Sequence, residues 1–166
     1  MTASNRALVL IAEVEKSLAV LQRIDEFYRG FCRSDPGADP RSTERAIVIA
    51  DVLSSYYTCC ETVFLRISQF FENSLSDDKW HQDLLRKMTL DLPGVRERVV
   101  ADPTAALLGE LLKFRHFKRY YFEFNYDWDR LEFLQKKYEQ LQPLLRSDFS
   151  RFLLFLRGLA HGAAEP

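Results

Sequence analysis

The sequence predicts an all-α protein that folds as an antiparallel bundle of four to five helices. Apolar residues recur at steps of three and four over most of the 166 residues. No segment alternates apolar and polar residues for long enough to predict a strand. The hydrophobic fraction of 47% and the charged fraction of 28% are typical of a globular chain, so we expect one helical domain over residues 1–166.

Two long helices are predicted in the first half of the chain. The first covers about residues 5–31, and the Pro- and Gly-containing segment 34–42 ends it. The second covers about residues 43–73. In both, the apolar residues form one stripe, which predicts that each helix buries that side in the core.

The second half of the chain begins with a short predicted helix at residues 79–90, after a Ser-Asp-Asp cap at 76–78. Asp102 and Pro103 then have the pattern of an N-cap followed by a first-turn proline. They are expected to open a helix that extends to about residue 124.

The last helical region is predicted for residues 127–159, with Asp127 as its cap. Pro143 lies inside it and lacks the N–H that a helix interior requires. We therefore expect Pro143 to interrupt or kink the region, leaving helices at about 127–141 and 144–159.

Composition excludes several classes of protein. The net charge of −1 argues against a general nucleic-acid coat protein, although it leaves room for a local basic site. There is no signal-peptide core and no apolar segment of about 20 residues, so we expect no membrane association and a cytoplasmic location. Cys32, Cys59 and Cys60 make neither a zinc pattern nor a disulfide framework.

No cofactor or metal is expected. The glycines do not have the spacing of a phosphate-binding loop. Asp78 and His81 lie three residues apart on a predicted helix, but no second pair of ligands accompanies them. A metal site in a helical bundle needs ligands from facing helices.

The most unusual stretch is residues 113–128. Four of the seven residues 113–119 are Lys or Arg, and eight aromatic residues lie between Phe114 and Trp128. Cations neutralise phosphate and aromatic faces stack on bases, so this stretch is a candidate site for RNA or another anion. The alternative interpretation is a solvated charged face beside aromatic core residues.

The helical spacing suggests how this stretch would act on RNA. Arg115, Arg119 and Phe122 are expected to share one face, with His116 and Tyr120 on the adjacent strip. An arginine fork beside an imidazole and a phenol has the groups needed to grip a phosphate. In a symmetric dimer two such strips would form a cleft, where the RNA's own 2′-hydroxyl attacks phosphorus without a metal.

An ordered string of motifs gives the chain a resemblance to a known family, from about Ala50 to the last helix. The motifs are Trp80-His81-x-x-Leu84-Leu85, Leu92-Pro93-Gly94-Val95-Arg96, Glu110-Leu111-Leu112-Lys113-Phe114-Arg115-His116 and Asp127-Trp128-Asp129-Arg130-Leu131. Together they resemble the HepT-like branch of the HEPN superfamily. The resemblance implies a helical, usually dimeric ribonuclease toxin, whose antitoxin is a small nucleotidyltransferase of the MNT type.

The resemblance also implies which residues form the site. The family motif is arginine, four residues, histidine, one residue, tyrosine, and in related systems the antitoxin adds AMP units to that tyrosine. Arg115 takes the arginine position, whereas Tyr120 and Phe122 replace the histidine and the tyrosine. Phe122 cannot accept AMP, and Tyr120, with a reference pKa of about 10, is a poorer base than histidine at neutral pH.

Three functions remain open from the sequence. In an active or weakened HEPN-type endoribonuclease, Arg115 would bind the scissile phosphate and Tyr120 or His116 would move protons. A non-catalytic member would keep the fold and the dimer and would bind RNA or a nucleotidyltransferase. A helical-bundle interaction protein would have no RNA role at all. In the first case three further cations would contact RNA: Lys113, Lys118 and Arg119.

Overall fold

The all-α prediction is confirmed. A computed structural model describes residues 3–34, 39–72 and 80–162, and these residues form five α-helices and no β-strand. The predicted cap at 76–78 lies outside the described residues. The helices are α1 (Ala3–Arg33), α2 (Thr43–Glu72), α3 (Trp80–Met88), α4 (Asp102–Tyr120) and α5 (Trp128–Gly162).

The four long helices pack as a bundle in which α2 and α5 separate the other two. Helix α1 packs against α2 and α5 on one side, and α4 packs against the same two helices on the other. Helices α1 and α4 do not pack on each other in the described part of the chain. The short α3 lies against α2 and α4. Helix α4 is therefore held on two sides by the centre of the bundle.

Helix α2 is the core helix. By length and composition it is apolar enough to cross a membrane, and 56% of that apolar window is buried inside the protein. The sequence was expected to hold no apolar segment long enough to cross a membrane, and α2 contradicts that expectation. Its apolar residues pack against all four of the other helices, as in the core helices of soluble proteins.

The predicted cap of α4 is wrong by one residue. Helix α4 begins at Asp102, and Ala101 holds the N-cap position without a side-chain capping bond. Asp148 of α5 replaces the cap, because its Oδ2 accepts hydrogen bonds from the Ala101 N–H at 2.9 Å and from Thr104 Oγ1 at 2.6 Å. A carboxylate from another helix satisfies the free donors here, and Pro103 lies in the first turn, as predicted.

Helix α4 ends at Tyr120, four residues before the predicted end at Phe124. Tyr121 already has an extended backbone, with φ −103° and ψ 108°. Its ring stacks on Phe117 with centroids 4.8 Å apart, and its hydroxyl donates to the Asn125 carbonyl at 2.7 Å. These contacts favour a reversal of the chain over another helical turn, which spacing alone does not reveal.

The connection between α3 and α4 is held by a buried arginine. The Arg96 side chain is fully buried, and its Nη2 lies 2.7 Å from Glu72 Oε1 at the end of α2. The same guanidinium donates to the carbonyls of Lys87 and Leu90. Gly94 has a φ of +76°, in the left-handed region that favours glycine, and it turns the chain toward Arg96. The Leu-Pro-Gly-Val-Arg motif is thus structural.

Helix α5 is continuous, so the predicted interruption at Pro143 is wrong. Pro143 cannot donate to the carbonyl of Glu139, but Glu139 is exposed and solvent reaches that side of the helix. Leu141 and Leu145, on either side of the proline, are buried in the core. The packing of this apolar stripe stabilises the helix against the loss of one hydrogen bond.

This arrangement predicts opposite effects for two exposed prolines. Pro143→Ala restores a helical hydrogen bond in the interior of α5 and should raise the free energy of unfolding by about 1 to 2 kcal/mol. Pro103→Ala is the control: the N–H of a first turn has no helical partner, so it should lower that free energy by about 0.5 kcal/mol. Urea unfolding followed by circular dichroism measures both. Destabilisation by Pro143→Ala would contradict a continuous α5.

Candidate functional site

The Arg115 guanidinium forms an ion pair with a buried carboxylate of α2. Its Nη1 lies 3.1 Å from Glu61 Oε2, and the two side chains are 22% and 6% exposed, respectively. Nη1 also donates to Glu61 Oε1 at 3.3 Å. A carboxylate this deeply buried needs a charged partner, so Glu61 fixes the direction in which the arginine side chain extends.

Tyr57 lies under this ion pair. The Arg115 Cζ is 5.9 Å from the centre of its ring, within the range of a cation–π contact. Burial, followed by the negative charge of Glu61, raises the pKa of the Tyr57 phenol well above its ordinary value. Tyr57 therefore stays protonated at neutral pH and serves as a wall of the site and not as a base.

The sequence analysis did not find Glu61. Its one signal is a carboxylate among the apolar residues of the second predicted helix, between Cys60 and Val63. That position indicates a buried charge in need of a partner. It does not indicate that the partner lies 54 residues later, at Arg115.

Lys118 lies on the same side of α4 as Arg115 and also reaches α2. Its Nζ is 2.8 Å from Asp51 Oδ1, but Asp51 is largely exposed. It lines a shallow surface cavity of about 410 Å³ together with Thr58 and Thr62 of α2. Exposed ion pairs contribute little to stability and are weakened by salt, so breaking the pair between Lys118 and Asp51 costs the fold little.

Tyr120 and His116, the two candidates for proton transfer, lie in the last two turns of α4. Tyr120 is 72% exposed, and the Arg119 Cζ lies 5.7 Å from the centre of its ring. Within the described residues the Tyr120 ring contacts Arg119, and no bond links its hydroxyl to Arg115. His116 is half-buried on the middle of the basic stretch.

Phe122 does not lie where the sequence placed it. It was expected to share a face with Arg115 and Arg119, but it follows the end of α4 and is 83% exposed. That prediction is wrong because the helix stops at Tyr120, where the Tyr121 ring turns back onto Phe117. Phe122 and Phe124 instead project from the connection to α5 as exposed rings.

Lys113 lies on a different side of α4 from Arg115. It donates to Glu110 of the same helix at 2.7 Å and lines a groove between α4 and α5. The basic stretch is therefore divided, because α4 packs against α2 on one side and against α5 on the other.

No group of three or more His, Cys, Asp or Glu side chains suited to a metal occurs in the part of the chain that the structure describes. The weak pair considered from the sequence involves Asp78 and the side chain of His81, which lie outside the described parts.

The family model described as HepT-like protein matches residues 48–156, which is well over half of the chain. The match begins near the start of α2 and ends within α5, so it includes both sides of the Arg115–Glu61 pair. The chain belongs to the HepT-like family of the HEPN superfamily. Neither a curated protein nor a solved structure matches it.

The two acidic partners of the basic stretch should differ in their effect on stability. Glu61→Ala leaves Arg115 partly buried without its partner, and we expect a loss of about 2 to 3 kcal/mol of unfolding free energy, reduced from the fully buried case by solvent screening. Asp51→Ala, the matched control, should change it by less than about 0.5 kcal/mol. Urea unfolding measures both. Equal, small losses would show that the Arg115 pair does not anchor α4.

Proposed function

We propose that this chain is a HepT-like toxin-type protein that binds RNA through Arg115 and pairs with an MNT-type nucleotidyltransferase antitoxin. Family membership associates it with toxin-like function and with toxin–antitoxin pairs. The proposal adds a cytoplasmic homodimer of single-domain chains over residues 1–166, with metal-independent endoribonuclease activity that is weak or lost.

One observation carries the proposal: the arginine at the family's motif position is oriented by a buried carboxylate. Glu61 holds Nη1 of Arg115, and the Arg115 side chain is 22% exposed to solvent. Within the described residues, the hydrogen bonds of Arg115 use Nη1 alone. The remaining N–H groups keep the fork geometry that matches phosphate oxygens, and Lys118 on the same side of α4 supplies a second cation.

The reduced activity follows from the groups around Arg115. Cleavage assisted by the 2′-hydroxyl needs a group that moves a proton near neutral pH. Tyr120 occupies the family's histidine position, and its exposed ring contacts Arg119 instead of Arg115. An arginine alone stabilises charge on phosphorus, so a residual rate is compatible with binding. His116 is the remaining candidate for proton transfer.

Exposed aromatic rings support the homodimer. Tyr120, Phe122 and Phe124 are all more than half exposed and lie within five residues at the end of α4. Apolar exposure of this density is typical of a surface that another protein covers. A second copy placed there would bring a second Arg115 toward the same cleft, and an MNT-type partner would compete for the same rings.

A second candidate function rests on the carboxylates. Arg115, Lys118 and Lys113 are paired with Glu61, Asp51 and Glu110. These pairs reduce the positive potential that attracts RNA over a distance. They favour a helical-bundle interaction protein that has no RNA role, and RNA binding that is absent at low salt would support it.

Arg115 should contribute more to RNA binding than the neighbouring cations. Arg115→Ala should weaken binding of single-stranded RNA by about tenfold or more, since it removes a charge-assisted fork. Lys118→Ala and Arg119→Ala should weaken it by about two- to threefold, as expected for single exposed charges. Fluorescence anisotropy at low salt measures all three. Equal, small losses would reduce the site to diffuse electrostatics.

The wild-type chain should cleave RNA weakly or not at all, and Tyr120→His should raise the rate. A histidine at position 120 supplies acid–base chemistry near neutral pH, worth up to about 10²-fold in a site that was not built around it. Tyr120→Phe is the control and should leave the basal rate unchanged. Cleavage of a labelled RNA in EDTA measures the rates.

Two results would contradict this account of the proton mover. Robust metal-independent cleavage by the wild type that Tyr120→Phe abolishes would make tyrosine a competent catalytic residue. Robust cleavage that His116→Ala abolishes would assign the proton transfer to His116.

A further inference from the structure

A groove of about 390 Å³ runs between α4 and α5, on a different side of α4 from the Arg115–Glu61 pair. Its aromatic walls belong to one connected set of rings. Phe114 lies 6.1 Å from Phe117 and 6.3 Å from Tyr126, measured between ring centroids. Phe117 is also stacked with Tyr121, and Tyr121 lies 5.3 Å from Tyr126. The rings fix one another, so the walls are preorganised.

One ring of this aromatic set, Phe117, remains accessible to a ligand. Phe114 is buried, but Phe117 is 51% exposed and faces the groove. The Tyr121 hydroxyl donates to the Asn125 carbonyl, which holds the connection between α4 and α5 beside these rings. An exposed ring at the edge of a preformed apolar groove offers a stacking surface at little cost in conformational entropy.

Two cations share one carboxylate at the rim of the groove. Lys113 Nζ lies 2.7 Å from Glu110 Oε1, and Arg130 Nη2 lies 3.6 Å from Glu110 Oε2. Both cations stay exposed to solvent. Asp127 also lines the groove, so the groove has no net charge, and the two exposed cations offer a phosphate direct charge-assisted contacts instead of a net positive potential.

Asp127 adds an acceptor inside the same groove. Its Oδ1 accepts the Asp129 N–H at 2.9 Å and caps α5. Within the described residues, no hydrogen bond uses Oδ2. A carboxylate oxygen beside a stacking surface accepts the N–H of an exocyclic amino group. Uracil offers only its N3–H, which lies between two carbonyl oxygens that the carboxylate repels.

We propose that this groove binds one base of single-stranded RNA, and that it selects a base with an exocyclic amino group over uracil. The base stacks on Phe117, its amino group donates to Asp127, and Lys113 and Arg130 contact the adjoining phosphate. The inference rests on the proposed RNA-binding function and adds a specificity pocket to it. Lys113 and Arg115 point about 200° apart around the axis of α4, so the groove and the Arg115 site are separate and can be tested separately.

Free mononucleotides test the groove without an RNA strand. We expect CMP to bind the full chain at millimolar concentration, with UMP about fivefold weaker because it has no amino group for Asp127. Ribose 5-phosphate, which has no base to stack, should be about tenfold weaker than CMP. Saturation-transfer NMR and calorimetry measure the three ligands. Equal affinity for CMP and UMP, or no binding of CMP, overturns the proposal.

Three variants assign the binding to the groove. Phe117→Ala should weaken CMP about tenfold, whereas Phe27→Ala, which removes an exposed ring of α1, should not. Asp127→Asn should abolish the preference for CMP over UMP, and asparagine still caps α5. An unchanged affinity in Phe117→Ala, or an unchanged preference in Asp127→Asn, overturns the proposal.

Arg115→Lys separates the groove from the proposed RNA site, because it keeps a positive charge beside Glu61 but lacks the fork that holds two phosphate oxygens. It should weaken RNA binding and leave CMP binding unchanged, since Arg115 does not line the groove. If RNA binds through Arg115 but CMP does not bind, the groove proposal fails and the proposed function stands. If CMP binds as expected but RNA does not, the groove stands as a nucleotide site and the proposed function fails.

Discussion

The packing of α4 between α2 and α5 determines where the functional side chains lie. A helix held on two sides cannot present a run of basic residues as one continuous face. The run is therefore divided: Arg115 and Lys118 pair with α2, and Lys113 lies at the groove with α5. Helix α4 stops at Tyr120, where the Tyr121 ring stacks on Phe117 and its hydroxyl donates to the Asn125 carbonyl.

The ion pairs of α4 differ in strength because their carboxylates differ in burial. Glu61 is almost fully enclosed, so removal of its partner would leave a charge where water cannot solvate it. Asp51 is exposed, so its pair with Lys118 contributes little to stability. In the proposed RNA site, a phosphate would displace Asp51 at small cost, whereas it would bind Arg115 beside Glu61, through the N–H groups that Glu61 leaves free.

Periodicity predicted the helices well, because each long helix buries one apolar stripe. Four details were wrong, and tertiary contacts explain each one. Asp148 supplies the cap that was assigned to Asp102, and buried leucines stabilise α5 across Pro143. Aromatic stacking ends α4 before Phe124, which also removes Phe122 from the expected face. The cap and the leucine packing depend on residues that are distant in sequence, whereas Phe117 and Tyr121 are four residues apart, a spacing that also fits a continuing helix. Spacing alone therefore does not predict these details.

The candidate site was predicted only in part. The motif resemblance singled out Arg115, and the family match over residues 48–156 agrees with the region of that resemblance. It did not single out Glu61, because ion pairs between helices follow no spacing rule. The groove rings were noted as part of an aromatic stretch, but the division between a buried Phe114 and a half-exposed Phe117 depends on α5.

The residue at the arginine position of the motif and the residues at the other two positions differ in what they contribute to the fold. Arg115 holds a buried carboxylate, so it stabilises the fold whether or not the chain cleaves RNA. The resemblance aligns Tyr120 and Phe122 with the family's histidine and tyrosine. Both side chains are exposed and hold nothing in the core, so a substitution there costs the fold little. A chain can therefore lose its proton mover and its AMP acceptor while it keeps the arginine. The presence of Arg115 alone does not indicate catalysis, and the groups that contact its exposed side decide the activity.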